Sequence, residues 1–170
     1  VGSQHDPGYI KGYPAGIREN GGQYTHGVLW SIIAFAMLGN GDRAAELFAM
    51  LNPVNHARTR SGADRYRVEP YVSCGDVYSM PPNTGLGGWP WYSGSAAWMY
   101  RTAVEHILGI RFSADRLFIT PVIPKRWPKF EVMIRHGSAT YSITVDNTAQ
   151  RNSGVSRAIV DGAAIIPSLG

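Results

Sequence analysis

A chain of 170 residues, 44% hydrophobic and 16% charged, has the composition of a folded globular protein and excludes a disordered one. Sixteen Lys and Arg against twelve Asp and Glu leave a net charge of +4, with no run of five like charges and no basic stripe, so no nucleic-acid partner is expected. The single cysteine, Cys74, excludes an intrachain disulfide framework, suits a reducing compartment, and reads as a small buried side chain.

The opening residues, Val1-Gly2-Ser3-Gln4-His5-Asp6, lack the basic start and apolar stretch of a signal peptide. Residues 1–24 have little periodicity and many Gly and Pro, and they read as a long shaped loop. Thr25 is suited to cap a helix to about Leu38 that is apolar on nearly every side, which predicts burial all round. Its apolar run from Val28 to Leu38 is far short of the roughly 20 residues of a membrane span, so this segment is not expected to cross a membrane. Gly39-Asn40-Gly41 stops the helix and Asp42 is positioned to cap the next. There Ala44, Leu47, Phe48 and Leu51 share one face until Asn52-Pro53 ends it.

Residues 54–67, with Arg58, Arg60, Arg65 and Arg67, read as a surface connection. Val68 to Met80 is predicted as a third helix, with proline in its tolerated first turn, and Ser95 to Leu108 as a fourth, closed by Gly109. Beyond Arg111 the period drops to two. Leu117–Ile119, Lys129–Arg135, Thr140–Val145 and Arg157–Val160 read as short strands, with turns at Trp127-Pro128 and His136-Gly137. The fold class is therefore α then β, with the best boundary near residue 110. Four helices are too few to close a helical barrel and four strands too few for a stable sandwich, so the order suggests a piece that completes two domains begun elsewhere.

Two loops carry more chemistry than packing requires. From Gly12 to His26 the sequence offers Tyr13, which can stack on a sugar ring, Glu19, which can accept from its hydroxyls, and Asn20 and Gln23, which can do both. A packed loop whose polar groups satisfy one another accounts for the same residues equally well. His26 lies in the first turn of an apolar helix, where a lone histidine is more often a hydrogen-bonded structural group than a ligand. No His or acidic residue stands three or four positions away, so no metal site is expected. In the second loop, Ser93 and Gly94 stand directly before a helix, where unpaired N–H groups and the helix dipole favour an anion. Glycine lets an oxyanion approach the backbone, and the flanking Trp89, Trp91 and Tyr92 suit a pocket with stacking walls. Plain N-capping by Ser93 or Ser95 is the alternative, and it does not exclude anion binding.

Four stretches, GYIKGYPAGIRENGGQYTHGVLW, YRVEPYVSCGDVYSM, GLGGWPWYSGSAAWMYR and LFITPVIPKRWPKFEV, together resemble glycoside hydrolase family 94. That family holds cellobiose, chitobiose and cellodextrin phosphorylases and the C-terminal phosphorylase domain of cyclic β-1,2-glucan synthase. The wording GYIKGYPAGIRENGGQYTH is most similar to the last branch. The resemblance covers roughly residues 6–150 and implies the last helices of an (α/α)6 barrel over 1–110, followed over 111–170 by part of a C-terminal β-sandwich (jelly-roll) domain.

The resemblance also implies inverting, phosphate-dependent cleavage of a β-glucan to α-glucose 1-phosphate. One aspartic acid protonates the leaving oxygen while phosphate attacks the opposite face, so a single catalytic carboxyl suffices. His26, Ser93 and Gly94 fall on the family's phosphate ligands, with Ser93 replacing a threonine but keeping the hydroxyl. Tyr13, Arg18 and Glu19 fall on sugar-binding positions, Arg18 where other members have lysine, and Gln23 joins them by residue type. The Gly-Asp-Trp-Asn-Asp-like motif of the general acid does not occur in the sequence, so no catalytic residue is expected here and the acid is expected upstream, outside the chain. Asp76 and Glu69 are the nearest carboxyls, and helix packing or capping accounts for both.

No cofactor is expected, inorganic phosphate being the co-substrate. The expected partners are a β-glucan oligosaccharide, phosphate and the remainder of a parent polypeptide, and a homo-oligomer is compatible with the family. The parent would act on the cytoplasmic side, in a form compatible with anchoring in a bacterial inner membrane. A non-catalytic carbohydrate-binding module using Tyr13 and the Trp89–Tyr92 surface is the competing reading, separable by its indifference to phosphate. A hydrolase of similar barrel fold is disfavoured because the two loops offer no second catalytic carboxylate.

Overall fold

The computed structural model describes residues 4–167. Residues 1–3 and 168–170, the outer ends of the domains expected at 1–110 and 111–170, lie outside the described residues. Helices come first and small antiparallel sheets later, so the chain is α then β as its periodicity indicates. It gathers into two compact units. One comprises Val1–Ala34 with Glu46–Ala103, the other Phe35–Ala45 with Val104–Gly170.

A 3-10 turn at Gly8–Gly12 precedes strand β1 (Gln23–Tyr24), which runs directly into helix α1 (Thr25–Met37). Leu29, Ile32 and Ala36 form the buried side of α1 at helical spacing. The all-round burial predicted for this helix is not realised: Trp30 is 56% and Met37 79% exposed. Helix α2 (Gly41–Leu51) buries Ala44 and Leu51 of the predicted face together with Ala45, while Leu47 and Phe48 of that face are half-buried. Its cap is Asn40 and not Asp42. The Asn40 side chain accepts from Arg43 N–H at 3.1 Å, while Asp42 accepts from Lys125 N–H at 2.9 Å.

The stretch read as a surface connection folds into two short helices, α3 (Pro53–His56) and α4 (Arg60–Tyr66). Each is opened by a side-chain cap, Asn52 onto Val54 N–H and Thr59 onto Gly62 N–H. Only Tyr66 of α4 is buried, its ring stacked on His56 with centroids 4.5 Å apart.

The helix predicted over Val68–Met80 is absent. In its place an extended segment contributes β2 (Asp76–Val77), the middle strand between β1 and β3 (Gly87–Gly88). The pairing brings Tyr24, Asp76 and Gly88 side by side, and Gln23, Val77 and Gly87 likewise. An added Cβ on Gly87 would stand 2.6 Å from Val68 Cγ2 and one on Gly88 2.5 Å from Asp76 Oδ1, so both positions exclude a larger residue. Helix α5 (Ser93–Arg101) begins two residues before the predicted start and continues as a π-helical turn over Thr102–Ile107.

In the second unit three hairpins follow: β4 (Ile110–Ser113) with β5 (Arg116–Ile119), β6 (Lys129–His136) with β7 (Ala139–Asp146), and β8 (Ala158–Val160) with β9 (Ala163–Ile165). Gly137, at φ 59°, takes the first place of the two-residue turn between β6 and β7, a conformation that favours glycine. Asn147 locks the following loop, donating to the Trp127 and Arg151 carbonyls and accepting from Arg151 N–H.

Gly109 sits at φ 72°, and a Cβ there would run into the Thr120 carbonyl, whose partner N–H bond to Gly109 O ties β4 to the segment after β5. Gly109→Ala is expected to lose more than about 2 kcal/mol from left-handed strain and overpacking together. Thermal unfolding should register that as a drop of roughly 4–8 °C; an unchanged midpoint would contradict this packing.

Candidate functional site

All seven residues singled out in the sequence lie in the first unit, and its three-stranded sheet organises most of them. The 16–22 turn is closed by Gly16 N–H to Asn20 O at 2.8 Å and Gly22 N–H to Arg18 O at 2.8 Å. Tyr13 holds this turn through its backbone, where its carbonyl accepts from Asn20 Nδ2 at 2.7 Å, while its ring packs edge-on against Tyr9. Arg18 has a left-handed φ of 52° and donates its backbone N–H to Asp76 Oδ2 at 2.8 Å. Its guanidinium lies over the Trp89 ring, 3.8 Å from the centroid, a cation–π stack.

His26 is enclosed by aromatic rings: Tyr24 and Tyr92 with centroids at 5.6 Å and Trp30 at 6.2 Å. Its Nδ1 is buried without a hydrogen-bond partner. The other side of the ring meets Gly94, where an added Cβ would be 3.2 Å from Cε1 and 3.4 Å from Nε2. Two loops nearly seventy residues apart therefore converge on one imidazole.

The start of α5 lies next to this imidazole. No side chain caps it: Ser95, a predicted capping candidate, turns its hydroxyl to Ser73 Oγ at 2.8 Å and to the Tyr92 and Cys74 carbonyls. Ser93 and Gly94 are both exposed, Gly94 is the one whose added Cβ would meet His26, and the first N–H groups of a helix have no partner within it. Trp89 and Trp91 flank this start with φ of 52° and 62°, left-handed values that are rare for bulky residues and gather at functional sites.

Electrostatics tie Glu19 to the same cluster. Burial pushes the Tyr24 phenol up, Tyr92 adds to the shift through charge and a side-chain hydrogen bond, Arg18 opposes it, and the Glu19 carboxylate raises it further. Glu19, Arg18, Tyr24, Tyr92 and His26 thus form a continuous neighbourhood. Gln23 stands apart. The pleat sends it to the face shared with Val77 and Gly87, opposite Tyr24, and its Nε2 is buried without a partner.

Sequence reasoning underrated Asp76. Its assignment to helix packing fails, because it lies on the central strand, fully buried, under the Arg18 turn. Gly75 and Gly88 leave room for the charged groups around it, but that is visible only in the fold and left no signal in the sequence. Glu69 is exposed outside any helix or strand, so capping does not explain it either. Among the described residues no group of three or more His, Cys, Asp or Glu could hold a metal ion, and no helix is long and apolar enough to cross a membrane.

The family model of the glycosyl hydrolase 94 superfamily, catalytic domain, matches residues 2–109, a span that contains the whole cluster. The chain belongs to this superfamily. Within it, the chain is 48% identical over 153 residues to the cyclic beta-(1,2)-glucan synthase NdvB of Rhizobium meliloti (strain 1021), covering 90% of this chain and 5% of that protein. It is 34% identical to the N,N'-diacetylchitobiose phosphorylase of Vibrio furnissii and 30% identical to the solabiose phosphorylase of Paenibacillus borealis. Those two matches cover 94% and 93% of this chain but 20% of each phosphorylase. The chain therefore corresponds to a small part of each of these superfamily members.

Proposed function

We propose that this chain supplies the phosphate-binding surface and part of the sugar-binding surface of an inverting β-glucan phosphorylase domain, in a parent of the cyclic β-1,2-glucan synthase type. The observation that carries the reading is the approach of His26 to Gly94 at the uncapped start of α5. An imidazole, a hydroxyl from Ser93 and first-turn N–H groups around one exposed point are donors suited to an oxyanion. Arg18 and Glu19, whose charges both act on the Tyr24 phenol of the same cluster, would meet the sugar to which the phosphate is transferred. The relatives named as phosphorylases and the glucan synthase supply the substrate class.

In this reading phosphate attacks the anomeric carbon as the glycosidic oxygen leaves with a proton from an aspartic acid contributed by the remainder of the parent, giving α-glucose 1-phosphate. The helices would complete an (α/α)6 barrel and the hairpins a jelly roll. The exposed apolar residues Trp30 and Met37, and Met133 at 70% exposure, would then be covered by the rest of the parent. Action on the cytoplasmic side of an inner-membrane protein, and any homo-oligomer, belong to the same proposal.

Calorimetry with a β-1,2-gluco-oligosaccharide, with and without phosphate, tests the reading. Binding that strengthens with phosphate supports it; binding indifferent to phosphate supports a carbohydrate-binding module built on Tyr13 and the Trp89–Tyr92 surface, where Trp89 and Trp91 are exposed.

Gly94→Ala gives an independent check. Alanine favours a helix over glycine by roughly 0.5–1 kcal/mol, so the thermal midpoint should hold or rise. The new methyl nevertheless crowds the His26 imidazole and the anion's approach, and phosphate affinity should fall about tenfold, the cost of one charge-assisted hydrogen bond. A loss of stability with unchanged phosphate affinity would contradict the assignment.

A further inference from the structure

We propose that Asp76 is a positioning residue for the sugar-binding turn: its buried carboxylate fixes the backbone of Arg18 and thereby the place of the Arg18 and Glu19 side chains. The inference rests on the reading of Arg18 and Glu19 as glucan ligands.

A carboxylate on the middle strand of a sheet is costly to bury unless donors meet its oxygens. Asp76 is fully buried, and its Oδ2 takes the Arg18 N–H from a loop 58 residues away at 2.8 Å. Two glycines clear the space. A Cβ on Gly88 would stand 2.5 Å from Asp76 Oδ1, and one on Gly75 would stand 3.5 Å from Arg18 Nη1 and 3.3 Å from Trp89 Cβ.

Arg18 also needs an external tether. Its φ of 52° is a conformation that a long side chain rarely adopts, and the surrounding structure must hold it there. Gly22 closes the turn from one side, where a Cβ would stand 2.7 Å from Arg18 N, and Asp76 holds it from the other. So fixed, the guanidinium lies over the Trp89 ring, 3.8 Å from its centroid.

Asp76 and Arg18 also share a neighbour, Tyr78. Burial pushes the Tyr78 phenol up, Asp76 raises it further and Arg18 lowers it, so both charged groups act on one ring. Asp76 Oδ1 is buried without a hydrogen-bond partner, so the bond from Arg18 N–H to Oδ2 is what offsets the burial of this carboxylate.

The test uses the full polypeptide that carries this chain, with phosphorolysis of β-1,2-gluco-oligosaccharide as the readout. Asp76→Ala should raise the KM for glucan about tenfold or more while the KM for phosphate stays within about twofold. Asp76→Asn, which keeps an oxygen in reach of Arg18 N–H, should bring the glucan KM back to within about threefold of wild type. If Asp76→Ala does not fold, Asp76→Ser, too short to reach Arg18 N–H, must show the same glucan-selective rise. An unchanged glucan KM in the variant that folds, both KM values moving together, or an Asn variant as impaired as Ala would overturn the inference. A wild-type polypeptide that cleaves no glucan would instead overturn the functional reading itself.

Discussion

Purified by itself and given β-1,2-glucan and phosphate, this chain is expected to release no glucose 1-phosphate. The leaving oxygen of a glycoside departs slowly without a proton, and a positioned acid contributes roughly 10²–10⁴-fold. The carboxyls near the cluster are poorly placed for that task. Asp76 is fully buried beneath Arg18, and Glu19 stands beside Arg18 and Tyr24, where the proposal has it holding sugar hydroxyls. A further loss multiplies the first, because effective molarity falls when the sugar is held from one side only. A coupled assay for glucose 1-phosphate, run with the chain and with an equal amount of its parent polypeptide, separates the outcomes. Product from the parent alone is the expected result. Product from the isolated chain would mean that one of its own carboxyls is the acid.

In the parent, His26→Ala should raise the KM for phosphate about 10- to 100-fold. A hydrogen bond to a charged group is worth about 1.5–3 kcal/mol, and each 1.4 kcal/mol is a factor of ten. The imidazole has little else to do chemically: it packs among Tyr24, Trp30 and Tyr92 with one nitrogen buried and the other beside Gly94. Some stability should be lost as well, because removing the ring leaves a gap among three aromatics. His26→Gln separates the two effects by refilling part of the gap and restoring a donor. It should recover most of the thermal midpoint and part of the phosphate affinity. A His26→Ala variant with reduced stability but wild-type phosphate KM would reduce His26 to a packing residue.

Much of the fold was legible wherever one element buried one face. The α1 and α2 spans and the β6–β7 hairpin follow from apolar periodicity and from Gly39 and Gly137, with differences of a residue or so at their ends. The departures have physical causes. Helix α4 buries Tyr66 alone and is held by the Thr59 cap and the exposed Arg60–Asp64 pair, so its arginines resemble a surface loop. Strands β1, β2 and β3 are two residues each, too short for any period, and β2 exists by pairing with β1, more than fifty residues earlier, as well as with the nearby β3. That is why Val68–Met80 looked helical. The β8–β9 hairpin did carry a local signal, Asp161-Gly162 with both φ positive, which fits a tight two-residue turn.

The candidate site divides the same way. Ser93 and Gly94 were legible as an anion-compatible helix start because that argument is local. The facing of His26 on Gly94 and the hold of Asp76 on Arg18 are tertiary facts with no footprint in composition or spacing.

The most direct measurement is a phosphate titration followed through the imidazole and backbone amide resonances of the protein. It carries five histidines, of which His26 faces the open end of α5. The account predicts saturable shifts at His26 and at the Ser93 and Gly94 amides, with His5, His56, His106 and His136 unmoved. Equal small shifts at every histidine, or saturable shifts that leave His26 and Gly94 in place, would contradict it.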